Sequence, residues 1–212
     1  MNSRQWEKLE HWSPVLLCIT GGFLVLIVLP TFIEFKPAAL DLFGSISKFL
    51  IPVSTVLGIA GVAGLYPKLS KQAPQLSWVG TIFLVVAGIV FVASYAGDYL
   101  VKTTQNQSLI PLLSYTLYTS VATRFAGHLV YSIAAFRSDH YPNTLGYLLL
   151  ILVALTVVGI PFMILQLQGS TIKWIFAAGT IIEALAYLAL GYLIKEYNHI
   201  TYPQFAAFWS TN

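Results

Sequence analysis

The chain has 212 residues, of which 57% are hydrophobic and only 9% are charged, and its mean hydropathy is +0.76. Soluble domains usually carry about 25% charged residues, so this composition excludes a soluble globular protein and indicates a membrane protein. The net charge of +3 comes from scattered basic residues and Cys18 is the only cysteine, which argues against a nucleic-acid partner, an intrachain disulfide and a cysteine metal site.

Three segments in the first half of the chain are long and apolar enough to cross a bilayer, which requires about 20 residues. They are residues 13–33, 49–66 and 78–97. No small-residue cleavage site follows the first segment, so we expect a retained helix rather than a signal peptide. Residues 37–48 are expected to form a connection with room for a short amphipathic turn at the surface, and Asp98 and Lys102 are placed in the loop after the third span.

The second half contains three further spans, at residues 113–136, 145–165 and 174–194. The tail, residues 195–212, is too short and too interrupted by Pro203 to span, and its aromatic residues favour the membrane interface. The tryptophans all fall at span ends or in flanking segments, as in an interfacial aromatic belt. The sequence therefore predicts an all-α, polytopic membrane protein, with one domain built as a bundle of six transmembrane helices.

The basic residues near the span ends predict the orientation. With six spans both termini share one side, and that side holds six basic residues against four on the other. They are Arg4, Lys8, Lys68, Lys71, Arg137 and Lys195, against Lys36, Lys48, Lys102 and Lys173. Positive charge favours the cytoplasmic side, so we expect an integral protein of the cell (plasma) membrane with cytoplasmic termini.

Charged residues near the centres of two spans stand out from the rest of the chain. The fourth span carries Arg124 and His128, and the sixth carries Glu183. A lone charge at this depth costs about 2.5–3.5 kcal/mol on insertion scales, and a paired one costs less. Because the fourth and sixth spans run in the same direction, Arg124 and Glu183 lie at similar depth. We predict a buried ion pair between them, with the two spans adjacent.

Other polar residues fall near this pair or at the end of the third span. His128 and Tyr131 follow Arg124 along the fourth span, Tyr187 follows Glu183 at helical spacing, and Ser94 and Asp98 are four residues apart. The candidate cavity or ion-pair residues are Arg124, Glu183, His128, Asp98, Ser94, Tyr131 and Tyr187. They line either a substrate or proton pathway, with His128 and Glu183 titrating, or a structural polar network that fixes helix register.

No pattern in the sequence predicts a catalytic residue, a cofactor or a metal site. Of the four histidines only His128 lies deep in a span, whereas membrane haem commonly uses two facing histidines. The zinc motif HExxH, the nucleotide motifs and the GxSxG nucleophile elbow are missing from the sequence. Every lysine lies near a span end, which excludes a retinal Schiff base.

Three functions remain open. We expect a small multi-pass protein that binds or translocates a small molecule, ion or lipid through a polar cavity of the third, fourth and sixth spans. The alternative is a non-catalytic scaffold or subunit of a larger complex, whose glycine-rich spans pack against a membrane-protein partner or a second copy. A third is an intramembrane lipid-modifying enzyme, with His128 and Glu183 as acid and base. The sequence does not identify a substrate.

Overall fold

The computed structural model describes residues 3–32, 37–139, 141–165 and 170–209. These ranges are helical apart from short connections, and they contain no β-strand. The helices are α1 (Ser3–Val28), α2 (Pro37–Ala63), α3 (Tyr66–Leu69), α4 (Pro74–Thr104), α5 (Ile110–Phe136), α6 (Asn143–Leu165) and α7 (Ser170–Trp209). The short helix α3 connects α2 to α4, and the other six are long. The prediction of an all-α bundle is confirmed.

Four stretches of the described chain are long and apolar enough to cross a membrane. They are Arg4–Thr31, Leu42–Leu69, Pro74–Thr104 and Lys173–Tyr197. Helix α6, Asn143–Leu165, is 23 residues long, and its part Asn143–Gly159 is apolar. Helix α5 has sufficient length but is not among the four, because Arg124, His128 and several hydroxyl side chains lower its hydropathy. The expectation that residues 113–136 are apolar enough on their own was therefore wrong. The four helices nonetheless indicate a protein embedded in a membrane.

Several helices extend beyond the predicted spans. Helix α2 begins at Pro37, so residues 37–48 are helical rather than a connection; proline suits the first turn because no helical partner is needed for its nitrogen. Helix α4 continues to Thr104 and ends where Gln105 adopts a positive φ of 55°. Asp98 and Lys102 are therefore on a helix and not in a loop. Helix α7 continues to Trp209, so the backbone of residues 195–209 is helical and continuous with the helix of the sixth span. The interfacial position of this tail stays a prediction.

The six long helices form a closed ring. Each packs against the next in the chain, with α3 intervening between α2 and α4, and α1 closes the ring by packing against α7. Helix α6 packs against both α5 and α7. The fourth and sixth spans were expected to be adjacent. Helix α6 lies between α5 and α7 in the order of the ring, and side chains of α5 and α7 are in contact.

Glycines permit the closest helix contacts. A Cβ atom at Gly191 of α7 would lie 2.7 Å from Cys18 Sγ and 2.7 Å from the carbonyl oxygen of Pro14, both on α1. A Cβ at Gly127 of α5 would lie 2.8 Å from the Leu84 side chain of α4. Small residues are favoured at such crossings because close backbone approach maximises van der Waals contact in lipid.

Polar contacts join the elements at the end of the bundle that holds the N-terminal residues. Lys68 Nζ lies 3.4 Å from Glu10 Oε1, which ties α3 to α1. The Gln72 side chain donates to Asp139 Oδ2 at 3.3 Å and accepts from the Asp139 backbone N–H at 2.5 Å. These contacts place the start of α1, the α2–α4 connection and the α5–α6 loop at one end.

Candidate functional site

The predicted ion pair between Arg124 and Glu183 is present. Arg124 Nη2 donates to Glu183 Oε1, and it also donates to the Tyr187 hydroxyl at 2.9 Å. Glu183 and Tyr187 are four residues apart on α7, so both side chains leave the same face of that helix. One guanidinium group from α5 therefore reaches two acceptors on α7.

Tyr187 is held from its other side by α1 and α2. Its side chain is buried, with 2% exposed. A Cβ at Gly58 of α2 would lie 3.1 Å from both Cζ and the hydroxyl oxygen of Tyr187 and 3.2 Å from Thr20 Cγ2 of α1. Because Gly58 leaves this space to the phenol ring, the hydroxyl is fixed where it accepts from Arg124.

The ion pair is not sealed inside the bundle. The side chains of Arg124 and Glu183 are each 24% exposed, and both line a cleft of about 210 Å³ between α5, α6 and α7. They are the only charged groups among its described lining residues. The walls are mostly apolar and include Val121, Leu152, Leu155, Val158, Ile175 and Phe176. The cleft thus combines one polar feature, the ion pair, with mostly apolar walls.

Two threonines and two glycines also line this cleft. The Thr156 and Thr180 hydroxyls each donate to a backbone carbonyl oxygen of their own helix at 2.9 Å. Gly159 and Gly179 have no heavy atom within 4 Å of an added Cβ. The hydroxyls are therefore already engaged, and the space in front of both glycines is open.

His128 lies one turn from Arg124 but does not line the cleft. Its side chain is fully buried, and neither ring nitrogen has a hydrogen-bond partner within the described part of the chain. A position inside helix packing gives no access to a substrate. The expectation that His128 faces a substrate or proton pathway therefore gains no support from its position.

Tyr131 belongs to the contact between α4 and α5. Its hydroxyl lies 2.6 Å from Thr81 Oγ1, and a Cβ at Gly80 would lie 2.3 Å from its ring. The Thr81 hydroxyl also donates to the carbonyl oxygen of Ser77 at 2.7 Å. Tyr131 is thus a buried packing residue with a satisfied hydroxyl.

Ser94 and Asp98 lie in a second cleft, of about 510 Å³, between α4 and α5. The Ser94 hydroxyl donates to the carbonyl oxygen of Val90 at 2.9 Å, and Asp98 pairs with Lys102 on the same helix. The seven candidates therefore do not share one cavity. Only Arg124, Glu183 and Tyr187 form a cluster, and only the first two of these line the cleft.

Sequence reasoning missed the contribution of the fifth span. Helix α6 supplies a wall of the cleft through Leu152, Leu155 and Val158, and these residues look like ordinary lipid-facing or core positions. Gly159 and Gly179 are the only local signal of open space, and glycines are common in membrane helices. The site therefore involves the fourth, fifth and sixth spans rather than the third, fourth and sixth.

The ion pair defines the charge of the cleft. Among the described residues, no three His, Cys, Asp or Glu side chains are grouped closely enough to hold a metal ion. Arg124 is a permanent cation and Glu183 is its counter-charge, so the cleft presents hydrogen-bonding groups with no net charge. The chain matches no protein-family model, no curated protein and no solved structure.

Proposed function

We propose that the protein is a multi-pass integral protein of the cell membrane, in which all six long helices cross the bilayer and both termini are cytoplasmic. The polar groups of α5 support its placement as a span, because Ser120, His128, Tyr131 and Ser132 are buried against neighbouring helices rather than exposed to lipid. The excess of basic residues at the end that holds Arg4 and Lys68 supports the orientation.

We further propose that the cleft between α5, α6 and α7 binds a small amphiphilic molecule. The observation that carries this proposal is the partial exposure of the Arg124–Glu183 pair to an apolar cleft. A charge at bilayer depth is costly when it faces hydrocarbon and is stabilised by polar partners. A ligand whose polar group lies against the pair supplies those partners. A purely structural pair would instead be enclosed completely by protein side chains.

The charges of the site define the chemical class of the ligand. A fully charged ligand would be attracted by one member of the pair and repelled by the other. An uncharged polar group, such as a hydroxyl, carbonyl or amide, can bond to either member without this penalty. The apolar walls favour a hydrocarbon body attached to that group, because small-molecule sites are mostly apolar with a few placed polar groups.

The scaffold function has less support. Its basis was the glycine-rich second span, and those glycines are used inside the bundle. A Cβ at Gly61 would lie 2.7 Å from the Leu17 side chain, and a Cβ at Gly64 would lie 2.9 Å from the carbonyl oxygen of Leu9. Both contacts are with α1, so these glycines are not a free surface for a partner. An enzyme using His128 is also disfavoured, because His128 is fully buried and does not line the cleft.

Filling the cleft tests the binding function. Gly179→Leu places a side chain in the cleft, where an added Cβ meets no atom within 4 Å. The control is Gly22→Leu, which adds the same side chain on the outer surface of α1, where an added Cβ also meets no atom within 4 Å. Both proteins and the wild type are purified in mild detergent, and retained molecules are extracted and identified by mass spectrometry. We expect one amphiphile at near-equimolar amount in the wild type and in Gly22→Leu, and its loss in Gly179→Leu. Equal retention in all three would contradict the proposal.

A further inference from the structure

The second cleft, between α4 and α5, is lined by both charged and apolar side chains. Asp98 and Lys102 are its charged members, and Ser94 and Ser114 are polar neighbours. Phe91, Leu113 and Leu117 form part of its apolar lining. At about 510 Å³ it is larger than the cleft at the Arg124–Glu183 pair, and the two clefts have no lining residue in common.

The charged residues of this cleft lie at the depth of lipid headgroups. Trp78, exposed near the start of α4, marks one interface, where tryptophan is enriched. Asp98 follows it by twenty residues, which is about 30 Å of helix and equals the usual hydrocarbon thickness. Asp98 therefore lies at the opposite interface, and Lys102 lies one turn beyond it.

The Asp98–Lys102 pair is easily exchanged for other partners. The two side chains are 50% and 69% exposed and are four residues apart on one helix. Exposed pairs of this kind contribute little to stability. An incoming molecule with one positive and one negative group can therefore replace the internal pair with two new ion pairs at little cost.

From this geometry we propose that the α4–α5 cleft binds a zwitterionic glycerophospholipid with a primary-ammonium headgroup. Lys102 contacts the phosphate, Asp98 accepts hydrogen bonds from the ammonium group, and an acyl chain lies along Phe91, Leu113 and Leu117. A primary ammonium has three N–H donors for Asp98, whereas a quaternary ammonium has none. An anionic headgroup matches Lys102 but is repelled by Asp98. This site is independent of the amphiphile site proposed between α5, α6 and α7.

The test measures lipid binding to the purified full-length protein. Dioleoyl phosphatidylethanolamine, phosphatidylcholine and phosphatidylglycerol are titrated separately into protein in detergent, and bound lipid is counted by native mass spectrometry. Thermal unfolding in the same samples reports stabilisation by the bound lipid. The variants are Asp98→Asn and Lys102→Gln, and Lys173→Gln serves as the control because Lys173 is an exposed lysine at the same end of the bundle.

We expect the wild type and Lys173→Gln to bind phosphatidylethanolamine about tenfold more tightly than either other lipid, the difference one charge-assisted contact supplies. Lys102→Gln is expected to weaken this binding about tenfold. Asp98→Asn is expected to lose the preference and to favour phosphatidylglycerol, because Lys102 then acts without its counter-charge. Equal binding of the three lipids by the wild type would overturn the proposal. So would an equal loss in Lys173→Gln and Lys102→Gln.

Discussion

Arg124 of α5 and Glu183 of α7 form an ion pair across a ring in which α6 separates their two helices. The contact depends on the length of the arginine side chain and on the equal depth of the two residues. It leaves one side of the pair open to the cleft that α6 partly walls. The structural ion pair and the ligand contact that we propose therefore involve the same two side chains.

Neutralising one member of this pair is expected to destabilise the protein. Glu183→Gln leaves Arg124 without its counter-charge and should lower the free energy of unfolding by about 3 kcal/mol. The double variant Arg124→Gln with Glu183→Gln removes both charges and should be less destabilised than the sum of the two single variants by at least about 1 kcal/mol. Unfolding titrations in detergent measure all four proteins. Simple additivity would show that the pair contributes no coupling.

The Tyr187 hydroxyl is expected to matter more than the Tyr131 hydroxyl. Tyr187 accepts from the charged Arg124, so Tyr187→Phe should cost about 2 kcal/mol; Tyr131 bonds to the neutral Thr81, so Tyr131→Phe should cost about 1 kcal/mol. Both changes remove one oxygen atom and leave the ring packing intact. Comparison of the two free energies of unfolding tests the order, and a larger cost for Tyr131→Phe would contradict it.

Two glycines on α7 are expected to respond oppositely to alanine. At Gly191 the new Cβ would lie 2.7 Å from the carbonyl oxygen of Pro14, whereas at Gly179 it meets nothing within 4 Å. Gly191→Ala should therefore cost about 1–3 kcal/mol through overpacking. Gly179→Ala should stabilise by about 0.5–1 kcal/mol, because alanine loses less backbone entropy in a helix. Thermal unfolding midpoints of the two variants decide this, and shifts of the same sign would refute the described α1–α7 contact.

Tyr141, in the α5–α6 loop, is expected to make stability fall at alkaline pH. Burial raises the pKa of its phenol, and the Glu10 carboxylate raises this pKa further. An unfolded tyrosine ionises near pH 10, while the folded protein keeps the proton. The contribution of Tyr141 is thus present below about pH 10 and is lost above it, at about 1.4 kcal/mol per pH unit.

Tyr141→Phe removes this effect and serves as the test. At pH 7 the variant should be at least as stable as the wild type, because the Tyr141 hydroxyl is buried without a hydrogen-bond partner among the described residues and its removal ends a desolvation cost. Unfolding measured from about pH 9 to pH 11 should then show the stability of the variant rising further above that of the wild type. Parallel pH profiles of the two proteins would contradict the buried, neutral phenol.

The sequence predicted the parts of the fold that depend on hydropathy and on helix rise. The fixed rise per residue placed Arg124 and Glu183 at equal depth, and the cost of a lone charge in lipid required a partner. The sequence did not predict the cleft, because its shape depends on how the apolar side chains of α6 pack. Those side chains carry no distinguishing pattern.

The ends of the helices were mispredicted for a related reason. Hydropathy detects only the most apolar part of a helix, whereas α2 begins before residue 49 and α4 continues past residue 97. Asp98 and Lys102 were therefore assigned to a loop, although their spacing of four residues is typical of a helical ion pair. His128 shares a helix face with Arg124, but the spacing did not reveal that packing encloses one side chain and leaves the other open.

Thiol labelling in lipid vesicles tests most directly whether the cleft beside Arg124 and Glu183 is open. A Cys18→Ala background contains no other cysteine, and single cysteines are introduced by Gly179→Cys in the cleft and by Gly22→Cys on the outer surface of α1. A water-soluble maleimide reacts with the thiolate, which does not form in hydrocarbon. We predict rapid labelling of Gly179→Cys once the retained amphiphile has been removed by detergent exchange, and none of Gly22→Cys. If Gly179→Cys is as unreactive as Gly22→Cys, the cleft is closed to polar molecules and the proposed ligand site is wrong.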